Sequence, residues 1–334
     1  MADNKLLGTG SLYYGGNEIS KAYIGNNLVW EKEEINPFIK EYFTIQSLAD
    51  NNTITFNKVV DNGEWNNIPD KPIKYSKDLN TWTDISFVYG GKNKIVLNRG
   101  EKLYLKGNNS TYGRRVSTSR YNYDSYAQIL AVKNIDVMGN IMSLVYGDNF
   151  INNNTIESSY TFLKLFNSNI KLVNAKDLIL PATTLTDHCY TGMFRSCSAL
   201  TTAPQLPATT LAKSCYSGMF YRCEALTTAP ELPATTLTAY CYNSMFESCF
   251  ALTTAPELPA TTLADYCYGY MFYDCYKLNY IKAMFTTTPS SAYTPDWVSG
   301  VSPTGTFVKN SAATWNVAGT YGIPSGWTVQ TASA

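Results

Sequence analysis

The segment Pro-Ala-Thr-Thr-Leu begins at Pro181, Pro207, Pro233 and Pro259, a step of 26 residues each time. Other positions keep the same step: Cys189, Cys215, Cys241 and Cys267; Met193, Met219, Met245 and Met271; Cys197, Cys223, Cys249 and Cys275; Leu200, Leu226, Leu252 and Leu278. A fixed period in the range of about 20 to 50 residues means that one unit cannot bury its apolar face alone and must stack on its neighbours. The second half of the chain is therefore expected to be a solenoid.

Within one unit, Cys215, Tyr216, Met219, Phe220, Cys223 and Leu226 fall on a single arc when placed at about 100° per residue, with Ser217, Gly218, Tyr221 and Arg222 outside it. This spacing predicts a short helix with one buried face. The following segment, LTTAPELPATTL, is too rich in Thr and Pro for a helix and reads as a short extended stretch and a turn.

The order Leu-x-x-Ala-x-x-Leu-Pro, followed by an apolar segment ending Met-Phe-x-x-Cys, resembles the leucine-rich repeat of Bacteroides surface-antigen (BspA-like) proteins. The resemblance covers about residues 158–280 and departs from the family in a slightly longer unit and in Met where Ala is usual. It implies strand, Pro turn and helix in each unit, and binding by an exposed face rather than catalysis.

All eight Cys lie within the repeats, between residues 189 and 275. On a helix Cys215 and Cys223 would be about 12 Å apart, too far for a disulfide, and neighbouring units would stand about 8 to 10 Å apart. Zinc is not expected either, since the spacing is not Cys-x(2–4)-Cys. The eight are read as reduced core residues.

The full expectation is a multidomain chain. Residues 1–34 carry three short alternating segments and read as a small β meander. It resembles N-terminal modules that precede variable regions in tail and head proteins of Bacteroides phages. Residues 36–155 read as a β-sandwich of immunoglobulin-like type through about residue 110, then a connector. The stretch KYSKDLNTWTDI resembles the Thr-Trp hairpin of bacterial immunoglobulin-like domains, with Leu79 at the place of a Gly. Residues 156–280 are the leucine-rich-repeat α/β solenoid, opened by a degenerate unit at 158–180, and residues 281–334 a C-terminal β cap, read as a small hairpin from the Gly, Pro and Trp punctuation of its last part.

Twenty-six basic residues balance 26 acidic ones, and charged residues make up only 16% of the chain. That removes the broad attraction to nucleic acid. No run of apolar residues is long enough for a membrane span, and the N-terminal sequence lacks the pattern of a secretory signal. Neither nucleic acid nor membrane insertion is expected.

Catalytic chemistry finds little to stand on. The one histidine, His188, is matched in later units by Ser214, Tyr240 and Tyr266, so it reads as a surface residue. Phosphate-binding and metalloprotease motifs are absent and the carboxylates are scattered, so no catalytic residue, metal or cofactor is expected. The recurring Tyr190, Tyr216, Tyr242 and Tyr268 read as core. Tyr221, Tyr240, Tyr266, Tyr270, Tyr273 and Tyr276 vary from unit to unit and are the candidate ligand-binding residues, because amphipathic rings suit sugars and protein surfaces.

The expected function is that of a non-enzymatic phage virion protein, a head or tail fibre or appendage made in the bacterial host cytoplasm. Its expected partners are other virion proteins, met through residues 1–34, and a host cell-surface protein or glycan, with assembly as a homo-oligomer. The alternative is a bacterial cell-surface adhesin of the BspA-like type.

Overall fold

The computed structural model describes strands within residues 12–31 and then residues 37–60, 70–117 and 122–332. In the first segment, β1 (Leu12–Tyr14) pairs with β2 (Asn17–Ile19), and β3 (Lys21–Ile24) with β4 (Asn27–Glu31), as two antiparallel hairpins.

The next strands are β5 (Phe43–Ser47), β6 (Asn52–Val60), β7 (Lys71–Ser76), β8 (Thr83–Tyr89), β9 (Asn93–Leu97), β10 (Lys102–Gly107), β11 (Gly113–Ser117), β12 (Asn122–Ala131) and β13 (Ile135–Asn140). A short helix α1 (Ser143–Tyr146) follows, then β14 (Leu172–Asn174) and β15 (Leu178–Ile179). Alternation drives the strands: Ile54 and Phe56 on β6, and Leu103 and Leu105 on β10, are buried while the residues between them are not.

These strands do not divide into the two facing layers of an immunoglobulin-like sandwich. They form one 11-stranded sheet in the order β11-β12-β6-β8-β7-β10-β5-β13-β14, with β9 also on β6 and β15 also on β13. The join is at β8, which is antiparallel to β7 but meets β6 in parallel at Asn57↔Val88 and Lys58↔Tyr89. That contact fuses what would have been separate sheets into a curled mixed sheet, about half a barrel. Residues 111–155, expected as a connector, supply β11, β12 and β13.

The α/β solenoid is also corrected: the structure is all-β and only 5% helical. No helix forms over Cys215–Leu226, because the backbone turns to positive φ at every fourth residue: Ser214 (54°), Gly218 (59°) and Arg222 (56°). Alternate N–H groups leave the unit altogether. Those of Tyr216, Gly218, Phe220 and Arg222 bond the carbonyls of Cys241, Asn243, Met245 and Glu247 in the next unit, at 2.8 to 3.1 Å. The intervening N–H groups close tight turns, as from Met219 to the Tyr216 carbonyl at 3.1 Å.

Each unit is thus a run of turns hydrogen-bonded to the next as strands are, and isolated parallel bridges such as Thr202↔Thr228 reinforce the stack. The apolar positions fit a four-residue period as well as one of 3.6, so the expected inward residues do point inward. Cys215, Tyr216, Met219, Phe220 and Cys223 are all at most 2% exposed. All eight Cys are buried and free, which follows from this packing and not from helix geometry.

Turns at both ends join the stack: Phe162 bonds to Cys189 at 2.7 Å, and Phe272 to Trp297 at 2.8 Å, through backbone groups. The C-terminal segment is not a hairpin. β16 (Tyr280–Ala283), β17 (Thr306–Lys309) and β18 (Thr328–Thr331) form a parallel sheet in that order, continuing the unit-to-unit stacking.

One hydrophobic core runs from Phe43 in the sheet to Trp327. Its spine is a column of rings in which Phe87 meets Tyr112, Tyr112 meets Phe162, and Phe162, Tyr190, Tyr216, Tyr242 and Tyr268 follow at 5.7 to 6.0 Å. Sheet and stack are also tied by charge. Asp124 on β12 lies 3.0 Å from Lys164 in the first turns and 3.1 Å from Arg115 on β11.

Candidate binding surface

The hydrogen-bond ladder sets equivalent residues of successive units above one another, so each outward position becomes a column across the stack. The first column reads Tyr160, His188, Ser214, Tyr240 and Tyr266. All share the left-handed turn conformation, with φ between 51° and 61°. Tyr160 and His188 stack at 4.8 Å and 8°, and Tyr240 and Tyr266 at 4.9 Å and 12°. Ser214 interrupts the series and is buried between its larger neighbours.

A second column holds Arg195, Tyr221, Glu247 and Tyr273. The Arg195 guanidinium lies 3.8 Å from the centre of the Tyr221 ring, and that of Arg222 lies 5.6 Å from the same ring. Gly218 sits beside this pair in the left-handed turn conformation, with a φ of 59°. Burial pushes the Glu247 carboxyl above its ordinary range, while Arg195 and Arg222 pull the other way. Tyr270 meets Tyr273 edge-on at 6.2 Å, and Tyr276 stacks on Phe250 at 5.2 Å.

The six candidate tyrosines therefore do not form one platform. Tyr240 pairs with Tyr266, Tyr270 with Tyr273, Tyr221 with two arginines and Tyr276 with Phe250. Tyr240, Tyr266 and Tyr270 are each 36% exposed and Tyr276 is 56% exposed, whereas Tyr221 and Tyr273 are half-buried. Sequence reasoning missed Arg195 and Phe250. The 26-residue step contains both, since Arg195 shares a column with Tyr221, and Phe250 with Tyr276.

His188 is half-buried rather than fully on the surface, and burial, helped by Arg115, lowers its pKa. Its neighbour Thr191 lies 3.4 Å from Nδ1, but the Thr191 hydroxyl donates to the Ser214 carbonyl at 2.6 Å. That proton is committed to the backbone, so the two do not make an activated nucleophile and base. Among the described residues no group of three or more His, Cys, Asp or Glu is placed to hold a metal ion, and no helix is long and apolar enough to cross a membrane.

Compared with protein-family models, with curated proteins and with solved structures, the chain matches none.

Proposed function

We propose that the chain is a non-enzymatic display protein whose stacked turns present their outer face to a cell-surface protein or glycan. One observation carries the reading. On the same ladder, the inward column is uniform, Tyr190, Tyr216, Tyr242 and Tyr268, while the outward column two residues earlier reads His188, Ser214, Tyr240 and Tyr266. Stacking constrains the first set and leaves the second free, so the face can differ at every step. Rings with polar edges give such a face contact area at low entropic cost, and several copies in an oligomer would add avidity.

The setting proposed is a virion, with the chain as a head or tail appendage held by residues 1–34. The resemblance of that segment to phage modules supports this. The resemblance of the repeats to BspA-like proteins favours a bacterial cell-surface adhesin as the second reading. Mass spectrometry of purified virions decides between them, since a chain missing from virions overturns the first.

The display function is tested by removing residues 207–232, one unit, which joins Leu206 to Pro233 in register. The expected product folds and adsorbs to host cells more weakly or to different strains. A folded product with normal adsorption would overturn the reading.

A further inference from the structure

Away from the stacked turns, the curled sheet carries a cavity of about 410 Å³ bordered by β7, β8, β10 and the turn after α1. That size is within the range of small-molecule sites, about 300 to 1,000 Å³. Its charges are matched. Lys106 lies 2.7 Å from Asp148, and Lys74 lies 2.9 Å from Asp84.

The Lys106 ammonium is further held 4.0 Å over the Trp82 ring, and the Tyr42 hydroxyl donates to Asp148 at 2.6 Å. Both bonds to Asp148 end on Oδ1. Its Oδ2 and the side-chain amides of Asn108 and Asn149 bond no other group among the described residues, and all three residues are exposed, so these groups are open to a ligand from solvent. All three residues line the cavity, as does the half-buried Tyr146.

We propose that this cavity binds a neutral sugar, a pyranose or short oligosaccharide, whose hydroxyls bond Asn108, Asn149 and Asp148 while the Tyr146 ring meets the C–H edges of the sugar. A polyol can replace water on two amides and a carboxylate oxygen with its own donors and acceptors. An apolar ligand would strip water from those groups and leave them unpaired. A charged ligand would find no unmatched counter-charge, since both ammonium groups already face carboxylates.

Lys106 and Tyr42, by their hydrogen bonds, hold the Asp148 carboxyl below its ordinary range. It is therefore an acceptor for sugar hydroxyls at neutral pH. The inference is independent of the reading of the stacked turns.

The test is saturation-transfer NMR on the full chain with glucose, galactose, mannose, N-acetylglucosamine and their disaccharides, and glucuronic acid as the charged comparison. At least one neutral sugar is expected to bind. The Asn108→Ala/Asn149→Ala double variant should weaken that binding about tenfold or more with an unchanged melting temperature, and Asn108→Trp should block it. Tyr240→Ala and the deletion of residues 207–232 should leave it intact, which separates this site from the display surface. The proposal is overturned if no neutral sugar binds, if glucuronic acid binds as well as glucose, or if binding survives both cavity variants.

Discussion

The thiol of Cys223 donates a hydrogen bond to the carbonyl oxygen of Phe194, 3.1 Å away and one unit earlier in the stack. The same bond runs from Cys197 to Phe166, from Cys249 to Phe220 and from Cys275 to Phe246, at 3.0 to 3.1 Å. Cysteine suits the place because it is small, apolar enough to be fully buried, and still a weak donor.

Cys223→Ala removes this bond together with buried volume, and should destabilise the chain by about 1 to 3 kcal/mol. Denaturant titration measures the loss. In the intact protein all eight thiols should react slowly with a labelling reagent and completely after denaturation. Several fast thiols in the native protein would contradict the packing described.

Burial also makes the stack sensitive to alkali. Desolvation pushes the thiols of Cys189, Cys267 and Cys275 up from an ordinary 9.0 to about 12, and raises the other five as well. The folded chain therefore keeps protons that the unfolded chain releases above its ordinary pKa. Stability is fully present below about pH 9 and falls as pH rises from there, by up to about 1.4 kcal/mol per pH unit for each thiol. Urea midpoints should be flat between pH 7 and 8.5 and drop steeply above 9, and Cys241→Ala should lessen the slope. A flat profile through pH 10.5 would count against buried, protonated thiols.

What the sequence could tell about the stack, and what it could not, follows from one degeneracy. Residues at relative positions 0, 1, 4, 5 and 8 share a face whether the chain coils at 3.6 residues per turn or folds back every four. Cys215, Tyr216, Met219, Phe220 and Cys223 were therefore legible as core while the backbone carrying them was not. The deciding clue was local. Gly192 and Gly218 stand where a helix interior disfavours Gly and a left-handed turn welcomes it. In the first half, alternation located strands such as β6 and β10. Nothing local to β8 announced its parallel contact with β6, which is what makes one curled sheet instead of two layers. The cavity was illegible for a similar reason: Tyr42, Lys106 and Asp148 lie far apart in sequence and meet only through sheet pairing.

Ser196→Gly separates the two backbones by the sign of its effect. Ser196 has a φ of 58°, a conformation that costs a non-glycine residue about 1 kcal/mol or more, against roughly 0.5 to 1 kcal/mol for the greater freedom of Gly in the unfolded chain. In the stacked turn the substitution should be neutral or stabilising by up to about 1 kcal/mol. In a helix it would destabilise by about 0.5 kcal/mol. Ser196→Val, β-branched and poorly suited to positive φ, should destabilise in the turn. A loss on Ser196→Gly together with a neutral Ser196→Val would refute the turn geometry.

The ring column predicts a gain from removing an atom. Tyr216 is 2% exposed, and its hydroxyl, like those of Tyr190 and Tyr242, has no hydrogen-bond partner among the described residues. The rings lie 5.7 and 5.9 Å from their neighbours and within 8° of parallel, a spacing too long for one hydroxyl to reach the next. A buried hydroxyl left unpaired costs about 1 to 3 kcal/mol, while the ring supplies the packing whether or not it carries oxygen. Tyr216→Phe should therefore stabilise the chain by about 1 kcal/mol, read as a higher urea midpoint and a melting temperature raised by about 2 °C. It should also lift stability above pH 10, because burial raises the Tyr216 phenol well above its ordinary value and the unfolded chain alone would release that proton. A loss of more than about 1 kcal/mol at neutral pH would show that the hydroxyls are bonded along the column, and that the stack is held by a polar spine as well as by its rings.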